Sequence, residues 1–409
     1  MQESCILSLR KKNLMNIEEI QAQLRKEKVD AWIMVDYENK NRTVAKLLGN
    51  KMLTRKIFLV IPSSSKPFVI AHFIDTVFLQ VDEVTSVFDI KGYKTWQEML
   101  EIEKREFSSF KTVMMDISEF GLLPRVSLAD YGSVDFIKEL GIKVLSSANI
   151  QQYMTARLSK HAYKTQIDAC KKALRIKDEA FRKIKADILN NGQSDEYVIQ
   201  KFIADRFVEE GMEFDEPPIV AIGPNASNPH YGPTPDVHSP IKEGDLVLID
   251  MWAKNVDPEG VYADITWMGY VGKDVPEIYK SRFNIAKAAR DGVIEFLTRE
   301  LPKRKVLAYE ADDVARKIIT DAGYGPYFKH RVGHNIAVDV SPHGPGANLD
   351  NYETHDTREI LDGTSFSDEP GIYAEDFGVR TETDLHNDGG HLVVVGGLQE
   401  EIISILALD

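Results

Sequence analysis

The sequence predicts an α+β protein of two domains. Three observations carry this: a length beyond one core, a first third in which short apolar strands alternate with helical segments, and a later part in which long amphipathic helices precede strands joined as hairpins. At 409 residues the chain exceeds the size at which a single hydrophobic core stops growing. Its 43% hydrophobic and 28% charged residues suit ordinary globular cores. The boundary is placed ahead of the first long helix, giving domains of 1–157 and 158–409.

In the first domain, Ile17, Ile20, Leu24 and Val29 fall on one side of a helix, and AWIMVD at 31–36 follows as a buried strand. KIFLVIP at 56–62, KPFVIAHF at 66–73 and TVMMDIS at 112–118 read as further strands of the same sheet. Asp36 and Asp116, at strand ends, read as turn or helix-capping carboxylates. From Ser159 onward, Ile167, Leu174, Phe181, Ile184 and Ile188 form one helical stripe. After a break at Asn190 to Gly192, Ser194 is placed to cap a second helix carrying Val198, Phe202 and Phe207. PPIVAIG, DLVLIDMWAK and ADITWMGYV then read as strands of an antiparallel sheet, with helices near 276–300 and 308–322.

Composition narrows the function. A formal net charge of −14 argues against nucleic-acid or anionic-membrane partners, whose phosphates call for a basic surface. Two cysteines, Cys5 and Cys170, make neither a metal pair nor a disulfide framework, which fits a reducing compartment and a cytoplasmic enzyme. The N-terminal MQESCILSLRKKNLMN lacks the apolar core of a signal peptide, and no segment offers the roughly 18 uninterrupted apolar residues of a membrane span.

Five residues of the last third stand in settings suited to metal ligation: Asp250, Asp264, His334, Glu369 and Glu382. Four carboxylates and one imidazole are the oxygen-rich set that two neighbouring divalent cations need to hold a water between them, which describes a hydrolase site. Asp250 and Asp264 interrupt apolar strands, and the intervening NVDPEG has the Pro and Gly of a hairpin loop, so antiparallel pairing would bring the two carboxylates together. Adjacent buried carboxylates repel unless a cation neutralises them. On these two residues alone, one carboxylate in solvent and the other capping a turn is an equal alternative. His330 and His334 have i, i+4 spacing, but Gly333 and β-branched neighbours leave helix, strand and loop open. Glu369 ends a short strand before Pro-Gly, and Glu382 alternates with Arg380, which could orient or balance a buried carboxylate.

VLIDMWA, YADITW, HRVGHNIAVDV, EPGIY and GVRTETD, in this order, resemble the motifs of the creatinase/aminopeptidase P/prolidase family of pita-bread metallopeptidases. KVDAWIMVDYEN and TRKIFLVIP resemble its creatinase-type amino domain, less distinctively. The resemblance implies a pita-bread catalytic domain behind a smaller α/β creatinase-type domain, a homodimer, and a short peptide as substrate. It implies that Asp250 serves one metal, that Asp264 and Glu382 bridge both, and that His334 and Glu369 complete the second site. His230 matches the family histidine near the scissile region, and His330 the one lining the substrate pocket. His343 matches a later family histidine only if two residues are inserted, because Ser341 stands at the usual spacing. Arg358 lies where dipeptide-specific relatives place a cation for the substrate carboxylate, or else pairs with Asp356 or Glu359.

The activity this resemblance implies is metal-assisted hydrolysis of Xaa-Pro bonds at the amino end of short peptides. Glu369 would shuttle the proton, and His230 and His343 would stabilise the tetrahedral intermediate. Manganese suits the donor set, with cobalt, zinc or iron also able to occupy it. The chain departs from the family at Trp267, where Arg is usual, at Trp252, where Gly is usual, and in the longer Asp250-to-Asp264 spacing. Aromatic bulk near the ligand strands bears on specificity and keeps a C–N hydrolase of a small metabolite as the alternative.

Overall fold

The apolar runs of the first third pair as one sheet because each buries both faces. In the computed structural model, which describes residues 17–409, Ala31–Asp36 and Ile57–Pro62 are buried along their whole length. Cys5 and the rest of the N-terminal segment to Asn16 lie outside the described residues. Six strands make the sheet, with Ala31–Asp36 antiparallel to Ile57–Pro62 on one side and parallel to Thr112–Met115 on the other. Phe68–His72 completes the expected set. The edge strands Asp89–Tyr93 and Lys143–Ser146 carry exposed polar residues and gave no apolar signal. Asp36 accepts the Asn41 amide at 2.8 Å at the start of a helix that Asn41 caps. Asp116 is fully buried and takes hydrogen bonds from Trp32 Nε1, Asn41 Nδ2 and Ser147 Oγ. Asp36 therefore organises a helix start, whereas Asp116 ties together side chains 31 to 84 residues away in sequence and, among the described residues, caps no turn.

The chain divides into two compact units, Met1–Thr155 and Ala156–Asp409. The second opens on a 32-residue helix, Lys160–Asn191, capped by Ser159 and ended by Gly192 in the left-handed conformation. The next helix, Glu196–Glu209, is capped by Asp195 instead of Ser194. Ser194 is spent elsewhere, pairing with Ile241 and donating to Asp187 Oδ2 at 2.8 Å. The buried stripe of this helix is Ile199, Ile203 and Phe207, one residue off the expected stripe at its start, with Val198 exposed.

Leu246–Asn255 and Ala263–Tyr270 form the expected antiparallel hairpin, flanked by Ile219–Ile222. A second sheet runs Asn335–Ile336, Ser365–Asp368, Thr383–Asp388 and His391–Val394. Helices Glu277–Glu300 and Ala308–Asp321 pack through Phe283, Val293, Ala311 and Ile319 into the core shared with Leu248, Phe366 and Leu385. The His330–His334 segment is neither helix nor strand until Asn335. It lies flat against the neighbouring strand, with Ser367 N donating to His334 O at 2.9 Å and Glu369 N to Val332 O at 2.7 Å. Gly333 makes that approach possible, because a Cβ there would stand 2.0 Å from Ser367 O. Gly333→Ala should therefore force the two segments apart and destabilise the fold by about 1–3 kcal/mol, measured as a lowered urea midpoint.

Candidate active site

Strand alternation decides which side chains meet. The hairpin register pairs Asp250 with Thr266 and Trp252 with Asp264, so all four share one face. The opposite face carries Ile249, Met251, Ile265 and Trp267, packed toward the long helix. Trp267 thus faces away from the carboxylates, with Lys177 Nζ 3.6 Å from its ring centroid. The expectation of aromatic bulk beside the ligands holds for Trp252 alone, and its indole N–H donates to Asp215 Oδ1 at 2.7 Å.

From the second sheet, His334, Glu369 and Glu382 meet this face. Ligand atoms of Asp264, His334 and Glu382 lie within 4.8 Å of one another, and all three residues are buried. His334 Nε2 is 3.4 Å from both Asp264 Oδ2 and Glu369 Oε1. Its Nδ1 faces the Asn335 carbonyl at 3.3 Å, an acceptor, so Nδ1 carries the proton and Nε2 presents a lone pair to two carboxylates. An imidazole nitrogen converging with carboxylate oxygens is the donor set of a cation site. Thr266 Oγ1 donates to Glu382 Oε2 at 2.6 Å, and Ser367 Oγ to Glu369 Oε1 at 3.1 Å.

Asp250 departs from this trio by binding Arg380 Nη2. The same guanidinium donates to Thr266 Oγ1 at 2.9 Å and to Tyr373 Oη at 3.0 Å. Burial raises the pKa of every one of the four acids. Asp264 is raised further by Glu382 and Asp250, and Glu382 by Glu369 and Asp250. Glu369 is pushed up to about 7, with Arg380 opposing the rise. A divalent cation would reverse what burial and mutual repulsion impose. The residues present therefore fit a metal.

The histidines around this set differ. His330 Nδ1 lies 2.6 Å from the Arg331 carbonyl and its Nε2 2.6 Å from Tyr373 Oη. The carbonyl fixes the proton on Nδ1, so Tyr373 O–H donates to Nε2 while accepting from Arg380. His230 is exposed and near enough to Asp250 to lower its pKa. His343, also exposed, sets its ring 4.1 Å from that of His334, centroid to centroid. Arg358 is buried and its guanidinium fork closes on Asp356, at 2.9 and 2.6 Å, and on Pro345 O. Of the two readings of Arg358, pairing with Asp356 is the one the geometry realises.

Sequence reasoning assigned no role to the buried carboxylates Asp384 and Glu196, which support the site. Asp384 accepts the Asp264 amide at 3.1 Å and the Cys170 thiol at 3.2 Å. Glu196, fully buried, accepts from Ile222 N, Asn225 Nδ2, Ser239 N and Tyr231 Oη, so it ties down both sides of the loop that carries His230. An acid inside a helix start, or in a strand, gives no sequence signal of such distant partners.

The model of metallopeptidase family M24 matches residues 168–386, a span that holds all five candidate ligands. The chain belongs to metallopeptidase family M24. An Xaa-Pro dipeptidase of Lactobacillus delbrueckii subsp. lactis is 30% identical over 304 residues, covering 72% of this chain and 74% of that relative. Among solved structures, the dipeptidase PepE from Mycobacterium ulcerans superposes with a TM-score of 0.64 at 19% identity, over 96% of this chain and 98% of that one. An X-prolyl aminopeptidase from Caenorhabditis elegans, described as a cytosolic enzyme with a di-nuclear active site, gives 0.61 at 17% identity over 91% of this chain and 58% of that one. At these identities the likeness is one of fold. This M24 peptidase thus has the α+β pita-bread architecture expected, with the smaller α/β domain ahead of it, and it is a metallopeptidase of a metal-dependent family. Among the described residues no helix is long and apolar enough to cross a membrane.

Burial lowers the His330 pKa to about 3, and Arg380 adds to the lowering. Since the unfolded imidazole titrates near 6.5, the stability this group contributes is complete above that pH and lost as pH falls toward 3. Imidazole NMR should therefore show His330 neutral, without a titration step, through the range in which an exposed histidine charges; a step near 6.5 would mean that the Tyr373 bond is not made.

Proposed function

We propose that this M24 peptidase hydrolyses Xaa-Pro bonds at the amino end of short peptides, using two divalent cations held by Asp250, Asp264, His334, Glu369 and Glu382. The observation that carries the metal part is the convergence of His334 Nε2 with Asp264 Oδ2 and Glu369 Oε1, each 3.4 Å away. Manganese is the proposed metal, from the oxygen-rich donors; the enzyme is proposed to be cytoplasmic and homodimeric. When bound, the cations polarise the scissile carbonyl and supply a nucleophile at neutral pH.

The chain's own groups do the rest. Glu369, held through Oε1 by Ser367 Oγ, takes and returns the proton. His230 and His343 stabilise the charge of the tetrahedral intermediate. His330, neutral and bonded to Tyr373, lines the pocket as an uncharged wall and keeps Arg380 turned toward Asp250. Proline at the scissile bond leaves a tertiary amide with no N–H, so recognition falls to shape and to the free substrate amine. With the Arg358 fork filled by Asp356, tripeptides and longer substrates are proposed to be cleaved better than dipeptides.

Metal analysis of purified protein should give close to two ions per chain, with both lost in Asp264→Ala and in Glu382→Ala. His230→Ala should keep its metal and lose turnover on the order of 100-fold. Unchanged stoichiometry in both carboxylate variants would sink the shared-ligand assignment, and metal lost in step with activity in His230→Ala would sink the role given to that histidine.

Substrate class is tested by comparing manganese-loaded enzyme on Xaa-Pro, Xaa-Pro-Yaa and matched Xaa-Ala peptides. The expected order puts Xaa-Pro-Yaa first, and Arg358→Ala lowers thermal stability without changing KM for a dipeptide. A dipeptide preference abolished by that substitution would assign Arg358 to the substrate carboxylate; no cleavage of any peptide would favour the small-metabolite hydrolase.

A further inference from the structure

The face that carries Asp250 and Asp264 continues, by strand alternation, to Lys254 and Tyr262. Lys254 Nζ stands 5.2 Å from the Tyr262 ring centroid. Tyr262 is 1% exposed and packs in a small cluster with Val261, Ile336, Ala162 and Trp252. Its hydroxyl nevertheless has a fixed partner, donating to Val340 O at 3.0 Å, while Lys254 Nζ donates to Asp339 O at 2.8 Å. Two consecutive carbonyls of the segment leading to His343 are thus held from the ligand hairpin.

The middle of that segment is not anchored by apolar side chains. Val338 and Val340 are 41% and 73% exposed, so neither ties it to a core. Its ends are fixed, by Ile336 in the cluster just described and by Gly344 N donating to Asn335 O at 2.7 Å. Between those ends the two carbonyl bonds join the backbone to the hairpin. The lengthened hairpin and the lengthened histidine segment therefore meet, and the meeting point lies next to the histidine whose spacing departs from the family pattern.

We propose that Tyr262 and Lys254 are positioning residues for His343: by holding the carbonyls of Val340 and Asp339 they set its imidazole against His334 at the edge of the carboxylate cluster. The catalytic half of this rests on the role assigned to His343 above. Neither residue touches the substrate; each acts through the backbone that carries His343.

The test uses full-length, manganese-loaded enzyme and the variants Tyr262→Phe, which removes only the hydroxyl, Lys254→Met, which keeps the stem, and Lys254→Arg, which keeps a donor. Peptide-level hydrogen exchange over 337–344 should quicken by about tenfold or more in the Tyr262→Phe/Lys254→Met double variant, which loses two hydrogen bonds, each worth up to about a factor of ten. kcat on an Xaa-Pro-Yaa peptide should fall by a similar factor with metal content unchanged, Lys254→Arg should recover most of the loss, and neither substitution should lower kcat further once His343 is Ala. Unchanged exchange in the double variant overturns the clamp. Faster exchange with unaltered kcat while His343→Ala is impaired, or losses that multiply with His343→Ala, overturn the positioning role. If His343→Ala is itself silent while exchange quickens, the clamp stands as a mechanical feature and the catalytic role of His343 is what fails.

Discussion

Four carboxylates buried around one imidazole are the constraint on which the rest of the catalytic unit depends. Each acid resists ionisation because burial removes water, and Asp264 and Glu382 resist it more because each faces other acids. Arg380 is a cation built among them, and it is not enough for four: it binds Asp250 and braces Thr266, leaving Asp264, Glu369 and Glu382 to gather around His334. A divalent cation would relieve this repulsion, and hydroxyls are placed at single carboxylate oxygens. Thr266 and Ser367 each donate one proton to one acid, fixing its rotamer while leaving its remaining lone pairs to a metal.

Each of the two sheets delivers a pair of acids. Asp250 and Asp264 come from one hairpin, where the turn sets the register and alternation puts both on one face. Glu369 and Glu382 follow or precede strands of the second sheet and are joined to the first through the backbone, with Glu382 N donating to Thr266 O at 3.2 Å. His334 reaches the same point only because Gly333 lets its segment lie against Ser367. A side chain at that glycine would push the imidazole away from the very oxygens it faces, so a residue with no functional group is as much a part of the site as the ligands.

What the sequence revealed was local. The Asp250–Asp264 hairpin was legible because a Pro-Gly turn and two apolar strands specify their own pairing, and the helix ends at Ser159 and Gly192 were legible because capping is short-range. Trp267 was misplaced because only its nearness in sequence to Asp264 was read, whereas strand alternation sends side chains three residues apart to opposite faces. The offset of Ser194 against Asp195 has a similar cause: two capping residues stood side by side, and a strand partner at Ile241 decided which one capped. Arg358 had a partner two residues away as well as a proposed substrate, and the nearer one occupies it. Glu196 was illegible, since its partners are 26 to 43 residues distant and nothing in EYVIQKF marks an acid that organises a loop.

The three histidines outside the ligand set show why residue type alone did not separate their roles. His330 has both ring nitrogens occupied, one by a carbonyl and one by a phenol that is itself held by Arg380, which makes it a link in a fixed chain of donors. His230 and His343 are exposed and sit on loops, and each loop is restrained from a distance: that of His230 by buried Glu196, that of His343 by Tyr262 and Lys254. Exposed imidazoles can meet a substrate only if their loops return to the same place, because a small displacement of a transition-state donor costs rate steeply. The restraint comes in one case from a carboxylate that gathers donors and in the other from donors that gather carbonyls. Both solutions place the histidine in solvent reach while keeping its backbone tied to the strands and helices that position the candidate ligands.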